Sequence, residues 1–361
     1  MGKKVTIIGA GKIGTAIAHL LGTSWYDITI VDEQNAALKK LEEKNYRLRQ
    51  SSVYDHEKLA TILNGQDIVI NAGPFNINEQ IATVAADFEV SYFDMTEDVE
   101  QAAKVKKIAK RIKYAVSVPQ CGLAPGFISI ITNHLAKGFD KIVDVKMRVG
   151  ALPVHPNNHL KYNLTWSVDG LINEYLKPCN AIRNSKLATI DPLEGHETFS
   201  LDGVQYEAFN TSGGLGTLCE TWKGKIRNMD YKSIRYPGHR DLIKFLIDDL
   251  NLDKDNGATL KSLLSESVPS TDQDVVIIFV SVSGYKDGRL VQETWSKKIY
   301  GADYFGEYFS AIQLATAAGV IGMVGLHGTN EMPEGSFIRQ EDVNFDEFMR
   351  GEIVGTVYGD H

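Results

Sequence analysis

Residues 5–21, VTIIGAGKIGTAIAHLL, run from an apolar stretch through a cluster of glycines into a helical pattern. Val5 to Ile8 read as a short buried strand, and Ile13, Ile17 and Leu20 then take up helical spacing. Between them Gly9, Gly11 and Gly14 stand in G-x-G-x-x-G order. In a strand-to-helix turn the first glycine permits the tight bend, the second lets the backbone approach a pyrophosphate, and the third lets helix and strand pack closely. The helix start adds free N–H groups and a partial positive charge, which suit an anion. This commits the N-terminal part of the chain to a βαβ unit shaped for a dinucleotide.

Asp32 ends the next apolar strand, in DITIVDEQ, eighteen residues after Gly14. That is about the separation at which a carboxylate accepts from a ribose 2′-hydroxyl. A solvated aspartate at a strand end is the plain alternative. Asp32, Glu33, Gln34 and Asn35 include no Arg or Lys, so a 2′-phosphate would meet like charge and the expected cofactor is NAD rather than NADP. Lys12 and Ile13 complete the turn, and Val53, Ala72, Gly73 and Pro74 are placed with it as cofactor-binding residues.

The first third of the chain alternates strand and helix. A charged helix (36–43), a strand (46–49), a helix (56–63) and the strand DIVINAG are followed by the helix NEQIATVAADF, the strand VSYFDMT, the helix VEQAAKVKKIAKRI and the strand YAVSVPQCG. This order predicts an α/β fold, a Rossmann doubly wound parallel sheet. The pattern breaks after Gly126. Beyond it IVDVKMRVG, KYNLTWSV, QYEAF and QDVVIIFVSVSG read as strands of a mixed or antiparallel sheet in an inserted α/β substrate domain. The segment YFSAIQLATAAGVIGMVGLHG reads as a small-residue apolar helix that packs back on the first domain. The expected division is 1–124 with 302–361 for the dinucleotide-binding domain, and 125–301 for substrate binding and dimerisation.

Ligands of doubly wound sheets bind outside the carboxyl ends of the strands, so residues 71–75, 94–98 and 119–126 are expected to line one crevice. Each also has a plainer use: Gly73 and Pro74 as a turn, Asp94 or Thr96 as a helix cap, Cys121 as a small buried apolar residue.

At 361 residues the chain has room for two domains. A formal net charge of −8 argues against nucleic acid or a membrane surface as partner and for a small molecule. A homodimer is the commonest assembly for such a protein. Cys121, Cys179 and Cys219 show no C-x-x-C pairing, which suggests neither a disulfide framework nor a zinc site. His155 and His159 flank Pro156 without a carboxylate at ligand spacing, so no metal is expected. With no secretory pattern and no apolar stretch read as long enough to span a bilayer, the expected location is cytoplasmic.

The glycine turn, PQCGLAPG, TWSVDGLINEY, YEAFNTSGGLGTL and YKSIRYPGH together resemble the saccharopine dehydrogenase-like family. That family includes saccharopine reductases, lysine 6-dehydrogenases and carboxynorspermidine dehydrogenases. The resemblance covers nearly the whole chain in order, and IRYPGH is its most specific motif. It implies a Rossmann domain completed by C-terminal elements, an inserted domain supplying substrate contacts, and oxidation of a C–N bond of an amino acid with hydride passing to a nicotinamide. Arg235 matches the family's substrate-binding arginine, and a guanidinium suits a carboxylate geometrically. Cys121, Gly122 and Leu123 match a loop that lies against nicotinamide and substrate, with Cys121 not a nucleophile.

Where saccharopine reductases carry an acidic residue in D-P-G, this chain has Ala124 in LAPG, which looks more like the lysine-dehydrogenase branch. The expected activity is therefore ammonia-releasing, with saccharopine or carboxynorspermidine dehydrogenase as the alternative, and a dinucleotide-binding redox sensor or scaffold as the non-enzyme reading. A neutral amine and a water attacking an imine call for a group titrating near neutrality. His239, Tyr175 and Glu97 are the catalytic candidates, with Glu174 and Asp94 behind them, and a helix-start hydrogen bond is the plain alternative for His239. Thr96 joins the substrate contacts, and Trp166, Tyr236 and Phe209 suit apolar walls.

Overall fold

The strand that opens the chain, β1 (Lys3–Ile8), is buried over its last four residues, as an apolar run in the middle of a parallel sheet requires. It is followed by α1 (Lys12–Gly22), β2 (Tyr26–Asp32), α2 (Asn35–Lys39), β3 (Arg47–Gln50), α3 (His56–Leu63), β4 (Ile68–Asn71), α4 (Asn78–Asp87), β5 (Ser91–Asp94), α5 (Val99–Ala109) and β6 (Ser117–Val118). The computed structural model describes residues 2–22, 26–255 and 257–359. All pairings in this sheet are parallel, in the order β3-β2-β1-β4-β5-β6. That is the doubly wound order, with its reversal between β1 and β4 beside the glycine turn.

The chain forms two compact units, Met1–Ile130 with Gln313–His361, and Ile131–Ile312. It leaves the first within α6 (Phe127–Ala136) and enters β7 (Lys141–Pro153), α7 (Val168–Leu176), β8 (Cys179–Arg183), β9 (Lys186–Ile190), β10 (Glu197–Leu201), β11 (Val204–Asn210), α8 (Leu218–Trp222), β12 (Asn228–Arg235), α9 (His239–Lys244), α10 (Ala258–Ser267), β13 (Asp274–Lys286) and β14 (Arg289–Tyr300). The small hairpin β15 (Ala302–Tyr304) and β16 (Glu307–Phe309) precedes the return through α11 (Ala311–Thr329), after which α12 (Phe345–Met349) and α13 (Glu352–Tyr358) end the described fold. The second unit holds an 8-stranded mixed sheet in the order β10-β11-β12-β7-β13-β14, with β8 on β12 and β9 on β8. Among the described strands of this sheet, β12 and β7 alone pair in parallel.

Three local expectations change. The segment KYNLTWSV forms no strand, because the Asn158 side chain both donates to the Tyr162 carbonyl (2.7 Å) and accepts its N–H (3.3 Å), and Lys161 turns to φ 51°. Those local bonds hold the backbone in a turn and keep it off the sheet. The strand expected over YAVSVPQCG shrinks to Ser117–Val118: the N–H of Gln120 goes to the Asp94 carboxylate (2.9 Å) and that of Cys121 to the Asp94 carbonyl (2.9 Å). The third concerns α11, which is long and apolar enough by length and composition to cross a membrane. Of its 18-residue apolar window 61% is buried inside the protein. In the first unit Gly319 is packed so closely on the Gly122 carbonyl that a Cβ would overlap it, Gly322 lies against Phe348, and the Tyr358 hydroxyl donates to the Ala315 carbonyl. It is a core helix there.

Candidate functional site

In the first unit the glycine turn closes directly after β1. Gly9 has φ +103°, a conformation that L side chains rarely adopt, and a Cβ there would stand 2.9 Å from the Ala72 backbone. A Cβ on Gly14 would overlap the Gly9 carbonyl oxygen. Gly11 differs: it is exposed and nothing lies within 4 Å of where its Cβ would be. The turn therefore keeps open space over its own backbone at the start of the 11-residue α1, where a pyrophosphate would need N–H groups and no side chain. The residues fit a dinucleotide on this observation.

Asp32 ends β2, and both its oxygens accept backbone N–H groups, Oδ2 from Ala10 (2.8 Å) and Oδ1 from Gln34 (2.8 Å). It thus ties the turn to the end of β2. Lys12 and Ile13 open α1, with Lys12 exposed and its carbonyl accepting from Gln313 (3.0 Å). Val53 is buried and its carbonyl accepts from Gln80 (2.8 Å). Ala72 donates to the Ile8 carbonyl (2.8 Å), Gly73 donates to Asn71 Oδ1 (3.0 Å), and Pro74 begins the helical turn at 75–77.

Beside them Asp94, at the end of β5, is fully buried. It accepts from Tyr92 (2.7 Å), Thr96 N–H (2.9 Å) and Gln120 N–H (2.9 Å). Burial raises its carboxyl and these bonds oppose the rise. Its position ties the 94–98 segment, which carries Thr96 and the half-buried Glu97, to the 119–123 loop. In that loop burial pushes the Cys121 thiol well above its ordinary range, which keeps it a neutral thiol. Gly122 and Leu123 accept from the first N–H groups of α6, Phe127 and Ile128 (both 3.0 Å).

The second unit gathers Arg235, Tyr175, His239 and Glu174. Strand β12 ends at Arg235, and α7, capped by the Ser167 hydroxyl, presents Glu174 and Tyr175 in succession. Arg235 Nε donates to the Tyr175 hydroxyl (3.0 Å), Nη1 to the Ile234 carbonyl (2.9 Å) and Nη2 to Glu174 Oε2 (3.3 Å). The guanidinium carbon lies 5.1 Å from the Tyr162 ring centroid and 5.8 Å from that of Tyr175. Trp166 packs against the same cluster as Tyr162, Tyr175 and Phe209.

The hydrogen bonds of His239 settle its proton. Nδ1 stands 3.0 Å from the Leu160 carbonyl, which only accepts, so Nδ1 carries the hydrogen. Burial, with the Arg235 charge adding to it, pushes His239 down to about 3, so the ring is neutral and Nε2 accepts from the Tyr175 hydroxyl at 2.9 Å. The expectation that His239 titrates near neutrality is overturned by this burial. The chain of donors runs from Arg235 through Tyr175 and His239 to Leu160, which makes His239 a brace for the guanidinium. Burial raises the Tyr175 phenol as well. The group left near neutrality is Glu174, which burial pushes up to about 7 against the pull of Arg235 and Ser233.

The structure thus gathers Arg235, Tyr175, His239 and Trp166 in the second unit, and the glycine turn, Asp32, Val53, Ala72, Gly73, Pro74, Thr96, Glu97, Cys121, Gly122 and Leu123 in the first. Sequence reasoning missed Tyr162 and the Leu160 carbonyl. Their segment shows no periodicity that points at β12, so only the tertiary fold reveals them. Among the described residues there is no cluster of His, Cys, Asp or Glu that could hold a metal.

Residues 5–118 match the saccharopine dehydrogenase NADP binding domain and residues 122–352 the saccharopine dehydrogenase C-terminal domain. The mitochondrial alpha-aminoadipic semialdehyde synthase of Rattus norvegicus is 21% identical over 359 residues, which cover 93% of this chain and 36% of that protein. The carboxynorspermidine synthase of Vibrio cholerae is 27% identical over 187 residues, covering 43% of this chain and 44% of that one. The chain thus spans about a third of the rat relative and less than half of the bacterial one by these matches. Apo saccharopine dehydrogenase (L-Glu forming) from Saccharomyces cerevisiae has the same fold, with a TM-score of 0.74 at 15% identity, over 97% of this chain and 96% of that one.

Proposed function

The chain belongs to the saccharopine dehydrogenase family, and from that premise we propose that it oxidises a C–N bond of an amino acid and releases ammonia, as a lysine 6-dehydrogenase does. The observation that carries the reading is the buried Arg235 guanidinium. It offers five N–H donors and engages one on each nitrogen with Tyr175, Ile234 and Glu174, so two of the five would remain for a substrate carboxylate. Tyr175 and His239 hold the fork in orientation, and Trp166 and Phe209, packed with Tyr162 and Tyr175, would suit an aliphatic stem, whereas Tyr236 packs in a separate cluster with Tyr206 and Ile234. A bound nicotinamide would supply the hydride acceptor, and the glycine turn with Asp32 would hold its adenosine half.

A substrate with one carboxylate fits this charge arrangement better than one with three. Arg235 is already balanced by Glu174, Arg148 is engaged by Glu197 (2.5 Å) and Asp230 (2.6 Å), and Lys232 by Glu197 (2.7 Å). Ala124 adds no charge, and residues 211–222 contain no Arg or Lys. Additional carboxylates would be buried without partners.

The test incubates the protein with L-lysine, L-ornithine or saccharopine and either NAD or NADP, and follows reduced cofactor, free ammonia and free glutamate. Lysine or a similar diamino acid should yield ammonia in step with reduced cofactor. NAD should outperform NADP, and Asp32→Ala should narrow the gap by removing the ribose acceptor. Glutamate release from saccharopine faster than ammonia release from any amine contradicts the branch. Equal use of both cofactors by the unmodified protein contradicts the role of Asp32. Tight NADH binding with no turnover of any substrate points to a sensor instead.

A further inference from the structure

The Arg235–Glu174 pair is buried as few ion pairs are, with side chains 3% and 12% exposed. Glu174 Oε2 lies 3.3 Å from Arg235 Nη2 and 3.4 Å from the Ser233 hydroxyl. One positive charge is thus matched by one resident carboxylate. We propose that Glu174 is the counter-anion of an empty Arg235, and that a substrate carboxylate arriving on the guanidinium converts Glu174 to the neutral acid by uptake of one proton from solvent. The inference rests on the reading that Arg235 takes the substrate carboxylate.

Two carboxylates cannot both stay ionised against one buried cation, because their repulsion in a poorly solvated site raises the proton affinity of the weaker acid. Glu174 is poised to be that acid, since burial has already pushed it up to about 7. The groups acting with it are Ser233, Arg235 and Tyr231 on β12, Tyr175 on its own helix, Tyr162 from the preceding segment and Cys179 on β8. Burial raises all three tyrosines, and it pushes the Cys179 thiol to about 12, so each stays neutral. Arg148 acts on Tyr231 and Asp191 on Cys179. Arg235 is therefore the cation that Glu174 answers to. Proton uptake keeps the pair neutral on both sides of the exchange: guanidinium with glutamate before, guanidinium with substrate carboxylate and glutamic acid after.

Calorimetry of hexanoate and L-norleucine binding to the full chain near pH 8, in buffers of different ionisation enthalpy, counts the protons directly. The wild type should take up close to one proton per ligand and lose affinity by up to tenfold per pH unit once Glu174 is ionised in the free protein. Glu174→Gln should abolish the uptake, flatten the pH dependence and bind the carboxylate about tenfold more tightly near pH 8. The wild-type pH slope and buffer dependence stand on their own if that variant does not fold. Binding without proton uptake, or uptake unchanged in Glu174→Gln, overturns the inference and leaves the carboxylate reading of Arg235 intact. Failure of both probes to bind overturns that reading, and the inference with it.

Discussion

Arg235→Met should destabilise the protein by about 3–5 kcal/mol near pH 8, the range seen when one partner of a buried ion pair is removed and the other charge is left stranded. The stranded charge is Glu174, and the Tyr175 hydroxyl loses its Nε donor in the same change. The sign with pH follows from the direction of the Glu174 shift. Its folded pKa, about 7, stands above the ordinary 4.5, so the native state binds more protons and stability falls as pH rises through that window. Without Arg235 the carboxyl is pushed higher still, so the deficit should shrink when the variant is unfolded in urea near pH 5.5. Adding Glu174→Gln should recover much of the lost stability, because it removes the unpaired charge. Arg235→Lys keeps the charge and loses the fork. It should lower kcat/KM by the equivalent of about 1.5–3 kcal/mol with cofactor affinity nearly unchanged. Stability of Arg235→Met that is indifferent to pH and to the second substitution shows the pair to be energetically idle.

The second large effect is expected at Gly14. An alanine methyl there would overlap the Gly9 carbonyl oxygen and come within 3.2 Å of the Ala72 Cβ. The turn is held against β2 and cannot simply move aside, because Gly9 donates to the Val31 carbonyl (2.8 Å) and Ala10 to the Asp32 carboxylate (2.8 Å). Overpacking of this kind costs about 1–3 kcal/mol. The displaced turn should also weaken dinucleotide binding by about a hundredfold, since the N–H groups that would meet the pyrophosphate are displaced with it. Gly11→Ala is the informative control. Its Cβ enters open space, so thermal stability should hold while dinucleotide affinity drops, as a methyl in the pyrophosphate path demands. Thermal unfolding and NADH fluorescence titration measure both quantities. Equal stability of Gly14→Ala and wild type, with unchanged NADH affinity, contradicts this role of the turn.

Local features were the readable ones. Gly9, Gly11, Gly14 and Asp32 carry their meaning in spacing, because the bend, the open backbone and the strand-end carboxylate lie within one βαβ unit. The strand and helix order of the first unit was legible for the same reason, since each element shows its own periodicity. The Arg235 site was legible as a residue and not as an arrangement. Its parts come from residues 160–162, from α7 and from the end of β12 with the start of α9, and no spacing links them. His239 shows the limit most clearly: residue type suggests titration near neutrality, and burial between Tyr175 and Leu160 makes it neutral instead. KYNLTWSV shows another, since its alternation suits a strand but the Asn158 side chain, outside that window, holds the chain in a turn.

In the proposed reaction a hydride leaves the carbon bearing the substrate amine for a nicotinamide held by this chain. Mass spectrometry of the cofactor after incubation with NAD and lysine deuterated at its side-chain CH2–NH2 carbon tests it most directly. Reduced cofactor should carry one deuterium, form in step with ammonia and be strongly diminished in Arg235→Lys. Reduced cofactor without deuterium, or none formed while ammonia appears, would contradict it.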